Sequence, residues 1–174
     1  TTSGGASGAS VPDVYTDVIF DTNSGSSDYT ITFTGNSNCA DLTANSSPAN
    51  TTFATFGGIN LYGNLSFGKN IGIPYFYIYF TSPNTNKIIK ANTSYGAPFL
   101  SCTFLNGGYI FGDNINYNTA LTFGSGASDG SGIFDTSANS YNISVQNLQS
   151  YGPHIFSFNS SNINQLGTNG NITF

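Results

Sequence analysis

Asparagines in Asn-x-Ser/Thr triplets are the residues of this 174-residue chain best suited to chemistry, because such a sequon accepts an N-linked glycan on a secretory route. Polar strand faces would also produce such triplets in a chain this rich in Asn, Ser and Thr. The sequence predicts covalent N-glycans on an exported protein, with polar strand faces as the alternative. The seven candidate acceptors are Asn45, Asn50, Asn64, Asn92, Asn142, Asn159 and Asn171.

The spacing around three of these sequons places the asparagine on a strand. In residues 141–145, Asn142 and Ser144 alternate with Tyr141, Ile143 and Val145. Successive side chains of a strand point to opposite faces, so Asn142 would face water while the apolar residues face the core. Residues 64–67 and 171–174 repeat this pattern.

The two cysteines, Cys39 and Cys102, are candidates for covalent cross-linking. They lack the spacing of a metal site, and His154 is the only histidine. A bond between them would close a loop of about 60 residues, worth roughly 4 kcal/mol in the chain-entropy model. In an exported protein a Cys39–Cys102 disulfide is the default prediction, and two buried thiols are the alternative.

Groups for catalysis are sparse. The chain has one histidine, no Glu and no Arg, and it contains no nucleophile-elbow, dinucleotide or phosphate-loop motif. Residues 113–118 and 129–132 offer oxygen ligands, but neither fits a calcium loop, which ends in Glu. We predict a protein that is not an enzyme and has no cofactor or metal. The tyrosine-rich segment at residues 74–80 could form a sugar-stacking surface, but a core strand is the favoured interpretation.

The charge composition restricts the partners. Three Lys stand against eight Asp, too few cations for a nucleic-acid track. The sequence contains no apolar run of 18 residues, so no segment is predicted to span a membrane as a helix. Only 6% of residues are charged, so few groups link folding to pH. This composition suits an acidic exterior, and an ordinary glycan-solubilised secreted protein is the alternative.

Strand patterns dominate the rest of the chain. Residues 28–34 alternate apolar residues with Thr, and further short alternating segments are separated by turn clusters such as 24–27 and 106–108. Short strands at such spacing favour an all-β, antiparallel β-sandwich, Ig-like or jelly-roll-like. We assign it to residues 13–174.

The amino-terminal segment, residues 1–12, has a different composition. It is rich in Gly and Ser, ends at Pro12, and begins at Thr1 without Met or a leader, as expected of a processed chain. Small side chains would suit a narrow groove of another subunit, in which the segment adds a strand; folding back on its own domain is the alternative. The candidate donor strand comprises Thr1, Thr2, Ser3, Gly4, Gly5, Ala6, Ser7, Gly8, Ala9, Ser10 and Val11.

The whole pattern resembles the thread filament subunits of thermoacidophilic archaea, which are similar to archaeal bundling pilins and, distantly, to the bacterial biofilm fibre protein TasA. The resemblance rests on the near absence of charge, the sequons, the β-rich character and the Gly/Ser tail. It implies an incomplete sandwich completed by a neighbour's donor strand, and a glycosylated extracellular surface filament serving adhesion or biofilm cohesion.

Identical subunits would be the main partners, with surface glycans or neighbouring filaments as further ones. A secreted monomeric carbohydrate-binding or adhesive module is one alternative, and a viral capsid or fibre protein is another.

Overall fold

The computed structural model describes residues 11–33, 35–45, 49–91, 100–123, 133–136, 139–151, 154–166 and 172–173. Within them the chain forms sixteen strands and no helix, which confirms the all-β prediction. The strands are β1 (Val18–Phe20), β2 (Tyr29–Phe33), β3 (Ser37–Cys39), β4 (Leu42–Ala44), β5 (Thr51–Leu61), β6 (Leu65–Phe67), β7 (Ile71–Phe80), β8 (Lys87–Lys90), β9 (Leu100–Phe104), β10 (Gly108–Phe111), β11 (Ile115–Phe123), β12 (Ile133–Asp135), β13 (Ile143–Ser150), β14 (Ile155–Ser157), β15 (Ile163–Gln165) and β16 (Ile172–Thr173).

The described strands form two parallel sheets, and the chain passes from one to the other. Sheet A has the order β1-β4-β6-β8-β10-β12-β14, and sheet B has the order β15-β13-β11-β9-β7-β5-β2. In sheet B, β3 pairs with β5 and β16 pairs with β13. One passage through sheet A and then sheet B is called a coil here. Each coil lies on the one before it, so the fold is a β-solenoid.

The core consists of columns of apolar side chains that run along the solenoid axis, and each coil contributes one side chain to a column. Leu42, Leu65 and Ile89 occupy matching positions in β4, β6 and β8, and all three are buried. In sheet B, Phe104 stacks between Phe80 and Phe123, with ring centroids 4.5 and 4.9 Å apart. Each coil therefore buries its inward face against its neighbours as well as against the opposite sheet.

The predicted antiparallel sandwich for residues 13–174 is wrong. Alternation of apolar and polar residues places one face of a strand inside, but it does not fix the direction of the strand's partner. Here the partner is the equivalent strand of the next coil, as in Tyr29 to Phe33 of β2 alongside Thr51 to Thr55 of β5. The prediction of an incomplete sandwich that a donor strand would complete is therefore wrong as well.

The candidate donor strand lies mostly outside the described residues, which begin at Val11. Val11 is 79% exposed and belongs to no strand, and Pro12 follows it. The first strand of the solenoid, β1, begins at Val18.

Candidate functional site

Rows of Asp and Asn side chains connect the coils where the chain enters sheet B. Asp28 precedes β2, and its carboxylate accepts hydrogen bonds from the backbone N–H (2.9 Å) and Nδ2 (3.0 Å) of Asn50, which precedes β5. Asn114, Asn142 and Asn162 precede β11, β13 and β15. The backbone N–H of Asn142 donates to Asn114 Oδ1 at 2.9 Å, and that of Asn162 donates to Asn142 Oδ1 at 3.1 Å. These residues are called the sheet B ladder.

A second row, the sheet A ladder, lies where the chain enters sheet A. The backbone N–H of Asp41 donates to Asp17 Oδ1 at 3.1 Å, and that of Asn64 donates to Asp41 Oδ1 at 2.7 Å. Asn64 Oδ1 then accepts the backbone N–H of Ile88 at 2.8 Å. In both ladders, the side-chain oxygen of one coil binds the backbone N–H of the coil that follows, so the ladders have a direction along the solenoid.

Carboxylates in these turns are stabilised in their charged form. The side chain of Asn50, followed by its backbone N–H, lowers the pKa of Asp28 from its ordinary value. The side chain of Thr16 and the backbone of Tyr15 lower the pKa of Asp13, and the backbone of Asn23 lowers that of Asp21. Hydrogen bonds to a carboxylate favour its ionised form.

Three of the seven predicted glycan acceptors belong to the ladders. Asn50 and Asn64 each donate Nδ2 to a carboxylate of the previous coil, and Asn142 accepts from Asn162. These sequons have a structural explanation, because the ladder places an Asp or Asn directly before the strand, the next residue points into the core, and the third faces outward.

The remaining sequons divide into two groups. Asn45 and Asn159 are exposed, and Asn159 has a positive φ of 45° in a turn. Asn92 and Asn171 lie outside the described residues. Occupancy of all seven stays a prediction, and the structure makes Asn45 and Asn159 the most accessible of the described acceptors.

The two ends of the solenoid differ in charge. Residues 1–68 contain Asp13, Asp17, Asp21, Asp28 and Asp41 and no Lys, whereas residues 136–174 contain no Asp, Glu, Lys or Arg. The amino-terminal end thus carries five of the eight acidic residues of a chain whose net charge is −5.

An apolar cavity of about 250 Å³ opens at the amino-terminal end of the core. Its lining includes Val18 and Phe20 of β1, Phe33 of β2, and Cys39. Val18, Phe20 and Phe33 are only partly buried, although they point toward the core. The first coil therefore leaves apolar core surface uncovered by the described residues.

Cys39 is a free thiol, buried in this end of the core. Burial, with smaller contributions from the charges of Asp41 and Asp17, raises its pKa to about 12. Its strand β3 pairs with β5, which is separated from the Cys102 strand β9 by β7. Three strand spacings of ~4.8 Å put the two backbones about 14 Å apart, beyond the ~7 Å that a disulfide spans. The predicted Cys39–Cys102 disulfide is therefore absent from this fold.

The other candidates from the sequence do not gather into a site within the described residues. His154 Nδ1 lies 3.4 Å from Ser150 Oγ, and its ring packs near Phe123. Asp113 accepts the backbone N–H of Ala91 at 3.2 Å, a bond between neighbouring coils. No group of three or more His, Cys, Asp or Glu residues suited to a metal occurs in the described ranges.

Comparisons with known proteins leave the family open, because no protein-family model, curated protein or solved structure matches this chain. No helix among the described segments is long and apolar enough to cross a membrane. Sequence reasoning missed the role of the ladder residues Asp17, Asp28, Asp41, Asn114 and Asn162. The signal that could have revealed them is an Asp or Asn directly before an apolar strand, repeated every 20 to 28 residues.

Proposed function

We propose that this chain is a structural subunit of an extracellular, cohesive filament, in which copies stack end to end through the first and last coils. The contact differs from a donor strand exchange, because whole coils meet and both sheets continue from one copy into the next. The sequons and the nearly uncharged composition support an exported protein.

The direction of the sheet B ladder carries this proposal. Asn142 offers its oxygen to Asn162, which is the last described member, and Asp28 is the first. Among the described residues, no bond to the Asn162 oxygen and no side-chain acceptor for the Asp28 N–H is found. A second copy stacked in the same direction would supply each group with its partner, as occurs between adjacent coils.

The strand edges support the same arrangement. Within the described residues, β1 and β2 pair on one side only, as do β14 and β15 at the other end. Unpaired strand edges are templates for another chain. Because all pairings are parallel, copies stacked head to tail keep the parallel direction. Such a contact is heterologous, and heterologous contacts form open fibres when they do not close into a ring.

Charge selects the head-to-tail orientation. Two amino-terminal ends would bring two sets of aspartates together, whereas an amino-terminal end against an uncharged carboxyl-terminal end avoids this repulsion. The apolar surface around Phe20 and Phe33 would be covered in the same contact.

The test uses cysteines placed two residues after a ladder position, at Thr30 and Asn164. Thr30 lies beside Thr52 of the next coil, and Asn164 lies beside Ser144 of the previous one. If the ladder continues across the junction, Thr30 and Asn164 of two copies lie in neighbouring strands, within reach of a disulfide. We expect the T30C/N164C variant to form a series of covalent oligomers under mild oxidation, which dithiothreitol reverses.

The matched control is T52C/N164C, which moves one cysteine to the next coil, about 10 Å from the junction partner. Variants with only one of the two added cysteines should stop at dimers. In electron micrographs, the seven coils that the described strands form, at ~4.8 Å each, predict an axial repeat of about 34 Å. Monomers from T30C/N164C, or equal oligomers from the control, would rule out end-to-end stacking.

A further inference from the structure

A groove of about 450 Å³ runs along the edge where the chain enters sheet A. Its walls come from the turns that precede β1, β4, β6 and β8. These are four consecutive coils, so the groove is about 14 Å long at ~4.8 Å per coil. A concave site of this size on a rigid scaffold is the usual setting for a small ligand.

Two tyrosines of the groove lie along its length. Tyr15, in the turn before β1, is 88% exposed, and Tyr62, before β6, is half-buried. Their positions are two coils apart, or about 10 Å along the axis. Aromatic rings offer an apolar face together with a polar hydroxyl, so they bind ligands that are apolar on one side and polar at the rim.

Local hydrogen bonds hold the amino-terminal wall. The carboxylate of Asp13 accepts the backbone N–H of Tyr15 at 3.0 Å and the hydroxyl of Thr16 at 2.7 Å. The carbonyl of Thr16 then accepts the N–H of Ala40 at 2.9 Å, which fixes this turn to the next coil. The exposed Tyr15 is thus carried by a defined turn.

The polar part of the lining is neutral overall. Asp41 and Lys87 contribute one charge of each sign, and Asn84 adds an amide. Asn64 already donates its backbone N–H and Nδ2 to the Asp41 carboxylate. A Cβ at Gly63 would overlap Asp41 Oδ1 and lie 2.7 Å from the carbonyl of Ala40, so glycine keeps this part of the wall clear.

We propose that the groove binds a neutral oligosaccharide of two or three sugar units, with sugar rings stacked on Tyr15 and Tyr62. A pyranose ring has an apolar C–H face and a rim of hydroxyls, and it is about as long as one coil spacing, ~5 Å. Hydroxyls would bond to Asn84, Lys87 and the Asp41 oxygens. The absence of net charge in the lining argues against polyanions and polycations.

This proposal goes beyond the filament, because one copy carries the complete groove. Isothermal titration calorimetry on dilute, monomeric protein would use cellotriose, chitotriose and mannotriose as neutral probes and trigalacturonate as the acidic probe. We expect at least one neutral probe to bind with a Kd of about 0.1–1 mM, since few contacts offset the cost of association.

Tyr15→Ala is expected to weaken that binding at least about tenfold without changing the denaturation midpoint, because the side chain is exposed. The matched control is Tyr77→Ala, a half-exposed tyrosine (51%) on the outer face of sheet B. NMR shifts at Gly63 and Asn84 give a second readout. Failure of all three neutral probes, stronger binding of trigalacturonate, or equal losses in both variants would overturn the proposal.

Discussion

The amino-terminal coils (β1 to β6) and the carboxyl-terminal coils (β9 to β16) use different residues to bond each coil to the next. Both hold neighbouring coils together through side-chain oxygens that accept a backbone N–H. The amino-terminal coils use mainly aspartates, Asp17, Asp28 and Asp41, while the carboxyl-terminal coils use Asn114 and Asn142. The geometry therefore needs an oxygen acceptor, and the charge is an additional property of one end.

The cores of the two regions differ in completeness. Phe104 contacts the rings of Phe80, Tyr109, Phe123 and Phe134 at 4.5 to 5.6 Å. At the amino-terminal end, Phe33 packs against Phe53 at 6.0 Å and borders the cavity. The carboxyl-terminal coils thus form a closed aromatic core, whereas the first coil remains partly open.

The largest expected effect comes from truncating rings in these two cores. Phe104→Ala should lower the free energy of unfolding by about 3–5 kcal/mol, because it leaves a cavity in a packed core. Phe33→Ala should cost only about 1–2 kcal/mol, since its ring already borders open space. Guanidinium denaturation of both variants measures the difference. Equal losses would show that the first coil is as well packed as the centre.

A glycine in each region tests how tightly the turns pack. Gly63→Ala should cost about 1–3 kcal/mol, because the new methyl would meet Asp41 and the fixed backbone of Ala40. At Gly112, the three nearest atoms are all side-chain atoms, Lys90 Cε and Cγ at 2.8 Å and Ile88 Cγ2 at 3.2 Å, so side chains rather than backbone would have to shift. Gly112→Ala should therefore cost less than Gly63→Ala, about 0.5–1 kcal/mol. Thermal denaturation of the pair decides whether the Asp41 turn is the tighter one.

Acid should affect the two regions differently. Hydrogen bonds from Asn50 lower the pKa of Asp28, so its contribution to stability is complete above the ordinary pKa and is lost as the pH falls through the lower folded value. The Asn114–Asn142–Asn162 ladder has no titrating group. Hydrogen-exchange protection factors, which refer each rate to the intrinsic rate at the same pH, should be lower in β2 and β5 at about pH 2.5 than at neutral pH, with little change in β13 and β15.

Asp28→Asn provides the control for this experiment, because the amide oxygen still accepts a hydrogen bond without titrating. The variant should reduce the pH dependence of the protection factors in β2 and β5. An unchanged dependence would mean that another group, such as Asp13 or Asp21, is responsible.

Local features of this fold could be predicted from the sequence, and non-local ones could not. The alternation in residues 28–34 gives β2 (Tyr29–Phe33), because side-chain direction depends only on neighbouring residues. The direction of pairing depends on residues one coil away, at separations that vary from 19 in β9–β11 to 28 in β11–β13. Because the number of residues per coil varies, the sequence shows no repeat of fixed length.

The candidate sites follow the same rule. The sequons at Asn50, Asn64 and Asn142 were visible, yet their role in the ladders depends on residues of other coils. Tyr15 and Tyr62 are 47 positions apart in the sequence. They line the same groove because folding brings the coils that carry them to within two coil spacings of each other. No local pattern marks either tyrosine.

The smallest expected effect concerns the predicted Cys39–Cys102 disulfide, which would have joined the two regions covalently. Cys39 belongs to the amino-terminal coils and Cys102 to the carboxyl-terminal coils, and β5 and β7 lie between their strands. Dithiothreitol should therefore leave the denaturation midpoint unchanged. In the folded protein Cys39 should resist iodoacetamide near pH 8, because it is buried and its pKa of about 12 leaves almost no thiolate. A midpoint that falls on reduction would mean that the two strands approach each other, which stacked parallel coils do not allow.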